Sequence, residues 1–244
     1  MSSGARRAPS TEIEAADGFR LQAWVEDHLE SLDLGAVRRI LRHPFVGREV
    51  FVLLLSKPEL RALYEVRSRI ARHPRTPAHL ALRLAADLGW RDLLEISVDL
   101  RLAPGLRRAA ERYLLERLPR LAIGERIAIA RRAHRRVLLR LREDPDERVI
   151  GALLANPRTG EALVVALAGD ARASPRVIAQ VAHSGHWRPR YSVRCALALN
   201  PQTPFAVQQS LLPSLARADL ERVARAPALS SVVRKWAEKR LAAR

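Results

Sequence analysis

The densest concentration of groups able to bind an anion runs from Arg101 to Arg142, where thirteen arginines face only Glu111, Glu116 and Glu125. Read at 3.6 residues per turn, Arg126 to Arg142 forms one amphipathic helix. Ile127, Ala130, Val137, Leu138 and Leu141 fall on one side, and Arg131, Arg132, Arg135, Arg136, Arg140 and Arg142 on the other. A guanidinium is a planar fork of donors that matches two phosphate oxygens, so such a face suits a phosphate backbone. A solvated outer face would carry arginines too, but charge this one-sided exceeds what solubility requires. His134 lies toward the apolar side, as a helix break or a core histidine.

A second basic site follows Gly185, in His186-Trp187-Arg188-Pro189-Arg190-Tyr191 with Arg194 one turn on. Aromatics interleaved with arginines suit base stacking and backbone contact, while packing of Trp187 against a neighbouring helix accounts for the ring equally well. His183 and His186 offer two metal nitrogens, but Gly185 interrupts the helix and no third ligand is near, so no metal is expected. The single cysteine, Cys195, excludes a disulfide framework and reads as a small buried hydrophobe. Neither a phosphate-cradling glycine loop nor the His-Glu-x-x-His or Gly-x-Ser-x-Gly patterns occur. Asp144-Pro145-Asp146-Glu147 reads as a structural turn feeding a helix.

The net charge is +17 over 244 residues, and it is unevenly spread. Residues 1–35 hold three arginines against seven carboxylates, so the cationic excess belongs to the rest of the chain. Such an excess favours anionic partners, DNA or RNA first and an acidic protein second. Hydrophobic residues at 48% exclude a disordered chain, and the Ala, Leu and Arg content favours helix over strand. No run approaches the roughly 18 apolar residues of a membrane span, and Met1 to Ser10 has no apolar core of a signal peptide. A cytoplasmic protein with a disordered tail over 1–10 is expected.

The elements that would position these groups recur along the chain. Leu197-Ala198-Leu199-Asn200-Pro201-Gln202-Thr203-Pro204 has close copies ending in Asn156-Pro157-Arg158-Thr159 and His73-Pro74-Arg75-Thr76-Pro77, and another at His43-Pro44. Weaker copies centre on Ala103-Pro104, Asp144-Pro145, Ser174-Pro175 and Ala226-Pro227. Apolar residues lie three and seven positions before most of these, such as Leu153, Leu197, Val149 and Val193, and again seven after. A residue before proline is pushed out of the α region, so the incoming helix stops there. Thr76-Pro77 and Thr203-Pro204 then read as N-cap and first helical residue. Ser56-Lys57-Pro58-Glu59 and Thr11-Glu12-Ile13-Glu14 read as capping boxes. Each unit is helix, turn, helix, unable to bury its stripes alone, and stacking of units is the expected solution.

The Asn-Pro-x-Thr-Pro turn with upstream Ala and Leu resembles the bacterial leucine-rich repeat variant family and, more broadly, HEAT-like α-solenoids. The resemblance implies an all-α, right-handed solenoid of short degenerate helical repeats over 36–244, preceded by an acidic capping helix over 11–35. It implies a binding role with no shared catalytic residue. The type member of the variant family is associated with an iron–sulfur cluster. One cysteine cannot supply its ligands, so no cofactor is expected. Some HEAT-like solenoids are DNA glycosylases that hold alkylated bases between aromatics and a carboxylate. Trp90, Asp92 and Trp187 are the residues here that would have to form such a set, although Trp90 as packing and Asp92 in a helix first turn explain them more simply.

The sequence thus predicts a non-enzymatic basic helical-repeat module. It binds nucleic acid through Arg131, Arg132, Arg135, Arg136, Arg140, Arg188, Arg190, Arg194 and Trp187. A scaffold gripping an acidic protein is the alternative, and a glycosylase the third reading.

Overall fold

The computed structural model describes Ile13 and residues 17–243. Residues 18–242 form seventeen α-helices joined by turns and short 3-10 segments, with no strand among the described residues. The chain is all-α. It divides into two compact units, Met1–Pro119 and Arg120–Arg244. The first holds α1 (Gly18–His28), α2 (Leu34–Ile40), α3 (Arg48–Ser56), α4 (Pro58–Ala62), α5 (Tyr64–Ala71), α6 (Ala78–Ala85), α7 (Trp90–Val98) and α8 (Pro104–Arg117). The second holds α9 (Ile123–Ala130), α10 (Arg135–Leu141), α11 (Glu147–Leu154), α12 (Glu161–Ala168) and α13 (Pro175–His183). It continues with α14 (Tyr191–Leu199), α15 (Phe205–Leu211), α16 (Arg217–Arg225) and α17 (Ser231–Ala242).

No helix exceeds the 14 residues of α8, and none is long and apolar enough among the described residues to cross a membrane. Helices this short draw their stability from packing an apolar face, not from propensity. In the first unit α1 packs on α3 and α6 on α8. In the second, α9 packs on α11 and α11 on α13, α12 on α14 and α14 on α16, and α15 on α17. Helices two apart in sequence therefore bury each other's stripes.

The two units are copies of one design. α2, α3, α5, α6, α7 and α8 begin at Leu34, Arg48, Tyr64, Ala78, Trp90 and Pro104. α12, α13, α14, α15, α16 and α17 begin at Glu161, Pro175, Tyr191, Phe205, Arg217 and Ser231, each 127 positions later. The cores correspond at the same offset. Val37, Ile40, Phe51, Leu54, Val66, Ile70, Leu93 and Ile96 are buried in the first unit, and Val164, Leu167, Ile178, Val181, Val193, Leu197, Leu220 and Val223 are buried at the matching places in the second. α9 and α10 come before the stretch that this correspondence covers.

The recurring turn is a β-turn closed twice. The side chain at its first position accepts the N–H two residues on: His43 from Phe45, His73 from Arg75, Asp99 from Arg101, Asp144 from Asp146, Asn156 from Arg158, Asp170 from Arg172 and Asn200 from Gln202, all at 2.8–3.2 Å. Asn and Asp favour the first position of such a turn and proline the second. Asp99 and Asp170, followed by Leu100 and Ala171, show that the proline is dispensable. This moves two of the predicted copies. Ala103-Pro104 and Ser174-Pro175 are the N-cap and first residue of α8 and α13, and the turns they follow begin at Asp99 and Asp170.

Other local expectations are corrected as well. Pro77 and Pro204 occupy the N-cap itself. The Thr76 hydroxyl points backward and donates to the Ile70 carbonyl at 2.6 Å, as Thr159 does to Leu153. Ser56 ends α3 and donates to the Leu53 carbonyl, so no capping box forms with Glu59. The box expected at Thr11-Glu14 and the tail over 1–10 lie outside the described residues. α1 falls within the predicted acidic segment over 11–35, and Asp17 caps it by accepting the Arg20 N–H.

The two asparagines do more than close turns. Asn156 Nδ2 donates to the carbonyls of Ala130 and Ala133 at 2.8 and 3.1 Å, and Asn200 Nδ2 to those of Ala168 and Asp170 at 2.7 and 3.0 Å. Each hooks the C-terminal end of the helix it packs beside, where carbonyls have no partner within their own helix. Both side chains are almost fully buried. Asn156→Ala and Asn200→Ala are each expected to cost about 1–3 kcal/mol, because buried carbonyls lose their donor. Denaturant melts measure this, and unchanged midpoints in both variants would show that the hooks carry no weight.

Candidate nucleic-acid interface

The predicted single helix over Arg126–Arg142 is two helices. α9 stops at Ala130, Arg131 and Arg132 form a turn, and His134 becomes the extended N-cap of α10. Nothing in Ala130-Arg131-Arg132-Ala133-His134 forbids helix. The break comes from the Asn156 hook: it engages the Ala130 and Ala133 carbonyls, which a continuous helix would offer to His134 and Val137.

The break changes which way the arginines point but not their exposure. Arg131 and Arg132 on the turn and Arg135, Arg136 and Arg140 on α10 are all exposed, while Val137, Leu138 and Leu141 carry α10 into the core. Arg140 donates to Glu143 at 2.9 Å. Arg131 and Arg135 make no ion pair among the described residues. Arg158, at the third position of the Asn156 turn, joins this group by donating to the Arg132 carbonyl at 3.1 Å. The linear pattern does not disclose Arg158; its place beside Arg132 follows from the packing of α9 on α11. A cleft of about 300 Å³ lies between α10 and α12, lined by Arg135, Arg142, Arg158 and Glu161 together with apolar side chains.

Beneath this surface, Arg126 reaches from α9 to the turn at Asp144, with Nε 2.8 Å from Oδ2. Its side chain is 17% exposed and that of Asp144 is 5% exposed. Arg126 is thus the one cation of the α9–α10 segment committed to the interior.

The second basic site is placed differently. Trp187 is 4% exposed, its Nε1 donates to the Leu154 carbonyl at 2.8 Å, and it occupies the core position that Leu60 fills in the first unit. It offers no open face for a base. Arg190 lies over the Trp187 ring and donates to Glu161 at 2.7 Å, and Arg194 lies over Tyr191. Hydrogen bonds from Ser192 and Arg190 hold the Glu161 carboxyl below the usual range. Arg188 is exposed and donates to Ser210. His183 Nδ1 donates to the Ala179 carbonyl at 2.7 Å, and His186 packs edge-on against Trp187.

Trp90 and Asp92 belong to the first unit and Trp187 to the second. Asp92 accepts from Tyr64 and, at 2.7 Å, from Ser68, and pairs with Arg72 at 3.1 Å; Tyr64 in turn accepts the Gly89 N–H at 2.9 Å. The second unit repeats this clasp. Tyr191 donates to Asp219 at 2.5 Å and accepts from Ala216 at 2.9 Å, with Cys195 in the place of Ser68. The Asp219 hydrogen bond pushes Tyr191 up to about 12, and the same bond lowers Asp219. A carboxylate used identically in two copies to tie α5 to α7 and α14 to α16 is a structural fastener. Burial raises the Cys195 thiol, which disfavours the reactive thiolate.

Comparison with known proteins leaves the geometry to speak alone: no protein-family model matches the chain, and no curated protein or solved structure matches it significantly.

Proposed function

We propose that this chain is a non-enzymatic, helical-repeat binding module of the α-solenoid kind, and that it binds nucleic acid through the phosphate backbone. The packing of helices two apart and the 127-residue duplication support a repeat architecture. One observation carries the binding reading. Arg131, Arg132, Arg135, Arg136, Arg140 and Arg158 are exposed together at the α9–α10 turn and α10, and Arg131, Arg135 and Arg158 have no carboxylate partner among the described residues. Some arginines elsewhere are paired off, as in Arg38–Glu65–Arg69 and Arg72–Asp92, whereas these six are concentrated on one short helix, the turn before it and the turn that packs beside it. Cations left without anions on the molecule serve an anion from outside it.

About five phosphate contacts give a log–log salt slope near −4 to −5. Changing Arg131, Arg132 and Arg136 together to Gln is expected to flatten it by about two to three units and to leave the circular dichroism spectrum unchanged. Random-sequence nucleic acid is expected to bind below about 10 μM at physiological salt. Absence of binding even at low salt overturns this reading and favours an acidic protein partner.

A further inference from the structure

The cleft between α10 and α12 sets two arginines of the phosphate-binding surface, Arg135 and Arg158, beside apolar side chains that backbone binding leaves unused. Arg135, Arg142 and Arg158 line it together with Leu138, Leu139, Ala162 and Ala166. Glu161 also lines it but is already held by Arg190 and Ser192. Arg142 lies 3.8 Å from Glu143, which leaves Arg135 and Arg158 as the cleft arginines without a carboxylate partner among the described residues. A volume of about 300 Å³ lies at the small end of ligand sites, which run roughly 300–1,000 Å³. It suits a single flat group better than a polymer helix.

The first unit supplies an internal comparison. At the positions of Val165, Ala166, Ser192 and Ala196 it has Arg38, Arg39, Glu65 and Arg69. There Glu65 bridges Arg38 at 2.6 Å and Arg69 at 2.7 Å, and these two guanidiniums hold its carboxyl at about 2. Of these four positions Ala166 lines the cleft, and its small side chain leaves open the space that an arginine like Arg39 would take up.

Resting on the phosphate-binding reading above, we infer that this cleft seats one unpaired nucleobase, so that the protein prefers single-stranded to duplex nucleic acid. Guanidinium planes stack on bases, and apolar side chains cover their faces. A paired base has its faces and pairing edge hidden in the helix and cannot enter. Arg131, Arg132 and Arg136 on the adjoining surface then meet the flanking phosphates.

Fluorescence anisotropy with three probes of equal length tests this: a labelled oligothymidine, the same oligonucleotide without bases, and a duplex. The oligothymidine is expected to bind about tenfold tighter than either of the others, equivalent to roughly 1.4 kcal/mol. Ala166→Arg, at an exposed position, restores the residue of the first unit. It adds a cation yet fills the cleft, so it is expected to erase the preference while duplex binding stays equal or tightens. Equal wild-type affinity for all three probes overturns the cleft and leaves the phosphate reading standing. An undiminished preference in Ala166→Arg also overturns it. Failure to bind any probe overturns both.

Discussion

Asp144→Ala is expected to destabilise the second unit by about 3–5 kcal/mol, the cost of leaving one partner of a buried ion pair uncompensated. Arg126 has only a 17% exposed side chain and meets the Asp144 carboxylate at 2.8 Å. The same carboxylate accepts the Asp146 N–H at 3.0 Å and so closes the turn into α11. Asp144→Asn separates the two roles, because the amide oxygen still closes the turn while the charge is gone. Changing Arg126 to Met in the Asp144→Ala background is expected to recover much of the loss, since replacing both partners removes the stranded charge. Chemical denaturation followed by circular dichroism measures all three. A loss under about 1 kcal/mol for Asp144→Ala, the value of an exposed pair, would mean that water reaches Arg126 and that the pair is not interior.

Leu197→Ala and Leu153→Ala are each expected to cost about 2–5 kcal/mol, as deletions from a close-packed core do. Both side chains are fully buried, and each sits three residues before a hinge asparagine. Ile70 holds the position of Leu197 in the first unit and is equally buried, so Ile70→Ala is expected to cost the same range. With two units in one chain, unfolding need not be a single transition. Ile70→Ala should therefore shift one part of the melt and Leu197→Ala another. Leu139→Ala, on the exposed side of α10, is the control and should change stability by under about 0.5 kcal/mol. Negligible effects at Leu153 and Leu197 would overturn the stripe assignment.

Much of this molecule was legible in its sequence, because the determinants are local. Helix-forming composition, a residue stopped before proline, and apolar residues three and seven positions upstream fix helix, turn and inward face without reference to distant segments. The exposure of Arg131, Arg132, Arg135, Arg136 and Arg140 follows in the same way, from alternation with Val137, Leu138 and Leu141.

Tertiary structure decided the rest. The α9–α10 break has no local cause, since Asn156 imposes it from 23 and 26 residues away. Trp187 beside Arg188 and Arg190 reads from sequence either as a stacking platform or as packing. Its burial and its bond to the Leu154 carbonyl decide for packing, in the core site that Leu60 fills in the first unit. The duplication itself is hidden because packing conserves volume and polarity, not identity. Phe51 answers to Ile178 and Leu60 to Trp187, while His73 and Asn200 close the same turn through different atoms. Arg158 reaches the basic cluster, and the cleft beside α12 forms, only when helices distant in sequence pack. Sequence sets which way each helix faces; the contacts between helices set which charges meet.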